Sequence, residues 1–343
     1  MRHFLSLRPA YGAAALTIAL AACAGSGSQL NPQSPQSRFP SAVSRLQFSP
    51  LTGELLRSGP VQVQNQTRTA EPAFSSFANS TGKLYVSDYA GNKIVIYPAA
   101  GKNQKPSGTI TTGIAGPLGN FVDAKGTLYV VNSNNSTVTE YPAGASKPSK
   151  TFSKGLSLPI GVVVDPLGTV YVSEFSANAI VEFDKGATSP SRTISISQPE
   201  GLWLDNAENL YASYIDPSNN GRVMKFKHKS TTGKDLGIAV GPSGDVKLDP
   251  NGNLLLGDQI NFAIDVFKPG TTTPFRTIST SGNNPYKFAF NSGATLIYAA
   301  APNTNTVPVF NYTSGTLVNT ITQGLSSAYG ASLSPPEPFG KPF

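Results

Sequence analysis

One short phrase recurs six times in this chain, and its spacing limits the possible folds more than any other feature. The phrase is a small turn, then Leu-Tyr-Val or a close variant, then a polar loop, then an apolar strand ending in an aromatic. It stands at Gly82–Val86, Gly126–Val130, Gly168–Val172, Asn209–Ala212, Gly252–Leu256 and Thr295–Ala299. From Tyr85 the steps to Tyr129, Tyr171, Tyr211, Leu255 and Tyr298 are 44, 42, 40, 44 and 43 residues. A strand-rich repeat of this period reads as a radial array of small sheets, each burying its faces against its neighbours.

The third copy shows how one repeat makes one sheet. Pro159–Asp165 is an apolar run bounded by turn residues, which reads as a strand buried on both faces. Pro166-Leu167-Gly168 turns the chain, and Val170–Glu174 is a second strand rich in β-formers. Ile180–Phe183 makes a third strand and Arg192–Ser195 a more polar fourth. Apolarity therefore declines from an enclosed inner strand to a wet outer edge. The third strand ends in an aromatic in every copy: Tyr97, Tyr141, Phe183, Phe226, Phe267 and Phe310. Rings at these places are expected to fill the wedge that opens between sheets with increasing radius. Pro308 lies in the sixth of these strands, where its missing N–H predicts a bulge or break.

The run Val163–Glu174 followed by Ala177-Asn178-Ala179-Ile180 and Phe183 resembles the NHL repeat, and Leu84–Tyr97 resembles it more closely. The likeness covers residues 73–334, although no copy has the His that usually follows the Asn. The wider group includes the gluconolactonase and senescence-marker propellers. The resemblance implies an all-β fold, a six-bladed β-propeller of four-stranded antiparallel blades. Two closures stay open. Tyr329–Ser334 repeats the start of a first strand and could complete the first blade. It could instead join Leu46–Leu56, a degraded copy of Val162–Tyr171, in a seventh blade shared by both ends. Six blades are favoured, because Leu56 to Tyr85 spans only 29 residues.

Residues 1–22 read as a targeting segment: Arg2 and Arg8 precede a short apolar run from Ala10 to Ala22. Leu20-Ala21-Ala22-Cys23 resembles the bacterial lipoprotein cleavage box, which implies lipidation of Cys23, a membrane partner through that lipid, and residence in the cell envelope facing the periplasm or exterior. Cys23 is the only cysteine, so a disulfide framework is excluded. Residues 23–70, rich in Ser, Gln, Pro and Asn, read as a flexible tether. Residues 71–343 read as the folded body. Loss of the first 22 residues removes two arginines and no acid, so the net charge falls from +7 to +5. The cations are scattered apart from Lys225, Lys227, Lys229 and Lys234, and no aromatic-interleaved basic stripe appears, which argues against nucleic acid as a partner. A monomer is expected.

Ligands of such a ring are expected at the mouth of its central channel. The first strands align as Ala73–Ser76, Pro117–Asn120, Pro159–Val162, Pro199–Leu202, Pro242–Asp245 and Pro285–Phe288. Alternation puts the second and fourth residues of each on one face, which then carries Ser76, Asn120, Glu200, Ser243 and Asp245. Glu200, Asp245 and the amide of Asn120 are of the type that holds a hard cation such as Ca²⁺. The resemblance points the same way, because gluconolactonase-like enzymes use a carboxylate-rich divalent site in their channel. The competing reading is that these carboxylates bond to backbone or water. Phe74, Tyr286 and Tyr329 are candidates for an aromatic cup that takes a sugar ring or a peptide. Asp88, Asn132, Glu174, Tyr214, Asp258 and Ala301 end the second strands, where short polar side chains cap loop N–H groups.

No catalytic set is assembled in the sequence. Beyond the leader the one histidine is His228, placed on the periphery, and no nucleophile elbow, phosphate loop or Cys/His metal spacing occurs. The expectation is a lipid-anchored binding or scaffolding propeller. The alternative is a divalent-metal-dependent lactonase or hydrolase of the gluconolactonase-like group.

Overall fold

The computed structural model describes residues 82–102 and 104–343, and among them regular structure is almost wholly strand. Blade 1 begins with β1 (Lys83–Asp88), β2 (Lys93–Pro98) and β3 (Gly108–Ile110). Blade 2 is β4 (Pro117–Val122), β5 (Leu128–Asn132), β6 (Thr137–Tyr141) and β7 (Lys150–Phe152). Blade 3 is β8 (Pro159–Val164), β9 (Val170–Glu174), β10 (Ala179–Phe183) and β11 (Arg192–Ser195). Blade 4 is β12 (Pro199–Leu204), β13 (Leu210–Ile215), β14 (Gly221–Phe226) and β15 (Gly233–Val240). Blade 5 is β16 (Val246–Leu248), β17 (Leu254–Asp258), β18 (Ala263–Phe267) and β19 (Arg276–Ser279). Blade 6 is β20 (Lys287–Phe290), β21 (Leu296–Ala300), β22 (Val307–Asn311) and β23 (Leu317–Ile321).

The last strand, β24 (Ala328–Ser334), lies inside β1 and completes the first blade, antiparallel, with Leu84 opposite Leu333 and Val86 opposite Ala331. The result is a six-bladed β-propeller of four-stranded antiparallel blades. Of the two closures left open by the sequence, the chain uses the six-bladed one. The inner place of blade 1, expected at Ala73–Ser76, is held by β24. Residues 73–76, and with them Phe74 and Ser76, lie outside the described residues, as do Cys23, the tether and Leu46–Leu56.

The inner strands touch in a fixed order because they carry glycine where they meet. A Cβ on Gly330 of blade 1 would stand 2.2 Å from the carbonyl oxygen of Leu118 in blade 2. The same collision recurs from Gly119 to Ile160 O (2.6 Å), from Gly161 to Glu200 O (2.4 Å), from Gly201 to Asp245 Cα (2.6 Å) and from Gly244 to Tyr286 O (2.2 Å). These contacts run from blade 1 to blade 6 in sequence. Blade 6 breaks the pattern, with Lys287 where the others have Gly.

Between the blades the aromatic wedge forms as expected. Tyr97, Tyr141, Phe183, Phe226, Phe267 and Phe310 are all buried. Two of them also stitch the links: Tyr141 Oη donates to Thr112 O at 2.8 Å, and Tyr97 Oη donates to Gln323 O. At Pro308 the ladder between β21 and β22 stops at Val309, and the pairing of β22 with β23 shifts register beside it.

Candidate functional site

Two features of the inner strands decide what faces the axis. A register shift follows the opening proline of β4, β8 and β12, so strict alternation of faces ends there. In blades 5 and 6 the strand starts late, and Pro242–Asp245 and Pro285-Tyr286 form the approach to β16 and β20 instead. Blade 5 also spends one more residue between its Pro and the next turn Asp (Pro242 to Asp249) than blade 4 does (Pro199 to Asp205). That extra residue is what brings Asp245 to the axis.

One mouth of the channel, on the side of the loops joining second and third strands, is closed by side chains. Tyr286 and Tyr329 meet edge to face at 5.0 Å, and Tyr329 meets Tyr89 at 5.5 Å. Leu118, Ile160, Phe175 and Ile215 pack with them. The structure therefore brings two of the three expected aromatics together. It also corrects their exposure: Tyr286 is 3 % exposed and is a stopper, not the wall of an open cup. Tyr89, which the sequence did not single out, completes the cluster.

Below this stopper lie the charges. Glu200 and Asp245 do converge, both buried, and Asp245 raises the proton affinity of Glu200. Burial pushes the Glu200 carboxyl up to about 7; the Lys287 ammonium pulls it down and Asp245 adds to the rise. Burial also raises Asp245, against the pull of Lys247 and Lys287 and a hydrogen bond from Phe288 N at 3.0 Å. Lys287, itself held below the usual lysine range by burial, donates to Gly244 O. Lys247 holds Glu337 at 2.6 Å while its ammonium sits 3.8 Å over the Trp203 ring. Asn120 donates to Ser87 Oγ at 2.8 Å and to Tyr85 O at 3.3 Å. Asn120, Asp245, Lys247 and Lys287 share the lining of a cavity of about 20 Å³, room for about one water molecule. Ser243 is buried, its hydroxyl 3.2 Å from Asp245 O.

This set does not fit the divalent cation that the sequence suggested. Two lysine ammoniums already face the carboxylates, and among the described residues no three His, Cys, Asp or Glu side chains are grouped to hold a metal ion. Sequence reasoning missed Lys247, Lys287 and Glu337. Lys287 did leave a signal, as the one inner-strand residue to replace the repeated glycine. Glu337 left none, since it follows the last repeat.

The far end of the channel is crossed by residues 335–343. Phe339 stacks on Phe121, nearly parallel at 6.3 Å, and meets Trp203 edge on at 5.2 Å. Gly340 O accepts from Asn206 N at 2.9 Å, and Phe343 is held by Tyr211 Oη and Lys225 Nζ.

The polar ring at the ends of the second strands is structural. Asp88 accepts from Ser326 N and Ser327 N at 3.0 and 2.7 Å, Asn132 from Ala115 N at 3.0 Å, Glu174 from Ser157 N and Leu158 N at 2.6 and 3.0 Å, and Asp258 from Gly241 N at 3.2 Å. Each of these side-chain oxygens thus ties its own blade to the link arriving from the blade before. Tyr214 departs from the pattern and donates to Asp235 at 2.7 Å, and Ala301 offers only its backbone, to Thr306. Burial raises Glu174 to about 7 despite these bonds. His228 is peripheral, 3.1 Å from Glu208.

No protein-family model matches the chain, and no curated protein matches it in sequence. Solved structures do. A chain of a nidogen–laminin complex superposes with a TM-score of 0.63 at 16% identity, covering 74% of this chain and 98% of that one. A putative 6-phosphogluconolactonase from Bacteroides fragilis gives 0.55 at 15% identity, covering 74% and 99%. Hydrazine synthase from Kuenenia stuttgartiensis gives 0.53 at 19% identity, covering 71% and 84%. At these identities the likeness establishes one thing, the propeller fold.

Proposed function

We propose that this chain is a binding or scaffolding propeller without catalytic activity, held at the cell envelope by lipid on Cys23 and facing the periplasm or exterior. The observation that carries the reading is the state of the axial channel. Side chains of the chain itself stopper it at both ends, and Lys247 and Lys287 neutralise the carboxylates between. A lactonase of the kind suggested by the likeness to a putative 6-phosphogluconolactonase needs a carboxylate open to substrate, and Glu200 is 2 % exposed. The body is then a rigid ring whose rims and ends are the surfaces for recognition.

The test has two arms. Sugar lactones and their phosphates are assayed with Ca²⁺, Zn²⁺ and Mn²⁺ on wild type and Glu200→Gln; the reading expects no turnover that depends on Glu200, and turnover lost in the variant would overturn it. Fatty-acid labelling of cells expressing wild type and Cys23→Ser is expected to mark only the wild type. Equal labelling of both would remove the anchor.

A further inference from the structure

The far end of the channel is built like a peptide-recognition groove. Its occupant, Pro335–Phe343, has no regular secondary structure and carries four prolines in nine residues, which pre-set an extended conformation at little entropic cost. Its side chains are read alternately. Glu337 enters the ring to meet Lys247 at 2.6 Å, and its other oxygen accepts from Phe290 N at 3.0 Å. Two residues on, Phe339 enters an aromatic slot between Phe121 and Trp203. Main-chain atoms are read too: Gly340 O by Asn206 N, Phe343 N by Tyr211 Oη at 3.0 Å, and Phe343 O by Lys225 Nζ at 2.9 Å.

These receptor groups lie on blades 2, 4, 5 and 6. None of them is needed for ring closure, which is complete at Ser334, where β24 ends. The receptor groups also have partners outside the segment. Lys247 is fixed over Trp203 and faces Asp245, and Tyr211 is anchored to Asp205 at 3.0 Å.

We propose that this end of the channel is a binding site for extended, proline-rich peptides carrying a carboxylate two residues before an aromatic ring, and that the chain's own 335–343 segment occupies it in cis. The inference rests on the reading of the body as a binding module and names the class of ligand. Alternating side-chain readout combined with main-chain capture is the usual logic of extended-peptide recognition. A tethered segment competes at high effective concentration, so an outside peptide gains the site only when the cis segment lets go.

The experiment uses the full chain. A fluorescein-labelled peptide Pro-Pro-Glu-Pro-Phe-Gly-Lys-Pro-Phe is titrated by anisotropy into wild type and into Phe339→Ala, with Trp203, the only tryptophan, as a second reporter of occupancy. Binding to Phe339→Ala is expected to be about tenfold or more tighter than to wild type, because the competing segment is weakened. A peptide with Glu and the first Phe exchanged is expected to lose binding, as is Lys247→Met added to Phe339→Ala. Should Phe339→Ala fail to fold, Phe339→Leu takes its place. Dimers of wild type that exchange this segment between copies would support the site. No saturable binding up to about 1 mM peptide, or equal binding of the exchanged peptide, would overturn it. Neither result bears on lactone turnover, so this inference and the proposed function fail separately.

Discussion

Replacing Glu337 with glutamine removes one charge from the interior of the ring and keeps the side chain's size and its acceptor for Phe290 N. The partner left behind is Lys247, 6 % exposed, whose ion pair with Glu337 is 2.6 Å long and almost dry on both sides. Removing one member of such a pair costs about 3–5 kcal/mol, because the other charge stays buried without compensation. Here Asp245 still faces Lys247, and the Trp203 ring still lies against the ammonium. The expected loss is therefore at the low end, ~3 kcal/mol. At roughly 2–4 °C per kcal/mol for a body of this size, Tm should fall by about 6–12 °C in a thermal melt followed by far-UV circular dichroism. Adding Lys247→Met removes the orphaned charge and should recover most of the loss, since an apolar replacement for a buried pair is commonly neutral. A Glu337→Gln variant melting within about 1 °C of wild type, or a double variant no better than the single, would refute the reasoning.

Glu200 sets a pH dependence. Its folded-state value near 7 lies above its ordinary 4.5, so its contribution to stability is full below pH 4.5 and is lost as pH rises through about 7. Glu200→Gln should accordingly gain up to ~3 kcal/mol on wild type between those limits in urea melts, and a constant difference across that range would count against the buried acid. Gly161→Ala puts a Cβ 2.4 Å from Glu200 O and should cost ~1–3 kcal/mol, whereas Gly108→Ala, meeting only Ile96 at 3.7 Å, should stay within ~0.5 kcal/mol of wild type. Equal melts for the two variants would contradict the close approach of blades 3 and 4. Asp88→Ala deprives Ser326 N and Ser327 N of their acceptor and should speed hydrogen exchange at those amides; unchanged exchange there would deny the cap its role.

What the sequence disclosed, and what it hid, divides by range. The repeat period, the wedge aromatics, the break at Pro308 and the caps at Asp88, Asn132, Glu174 and Asp258 are properties of one repeat and its neighbour, and a linear reading finds them. The channel is different. Lys247 and Glu337 meet across 90 residues, and only closure of the ring brings them together. The alternation that placed Glu200 and Asp245 on one face reached the right pair by an incomplete route, because it ignored the register shift in blade 4 and the extra residue in blade 5. It therefore gave two carboxylates without the lysines that neutralise them, and a cation site followed. The sequence offers Tyr286 as part of an open cup because nothing local tells a mouth from a stopper. The alignment of first strands puts the inner strand of blade 1 at Ala73–Ser76, although Tyr329–Ser334 also repeats the start of a first strand.

The blades form a closed wheel sealed by β24 against β1. Cysteines at Val86 and Ala331, which stand opposite each other across that seam, test it directly in a Cys23→Ser background without other thiols. Directly opposed strand residues lie within disulfide reach, whereas a one-residue slip turns one side chain to the other face of the sheet. Mild oxidation is expected to convert Val86→Cys/Ala331→Cys to an intramolecular cross-link in the monomer, and to leave Val86→Cys/Ser332→Cys largely reduced. Failure of the first pair to close, or closure only between two chains, would contradict the wheel.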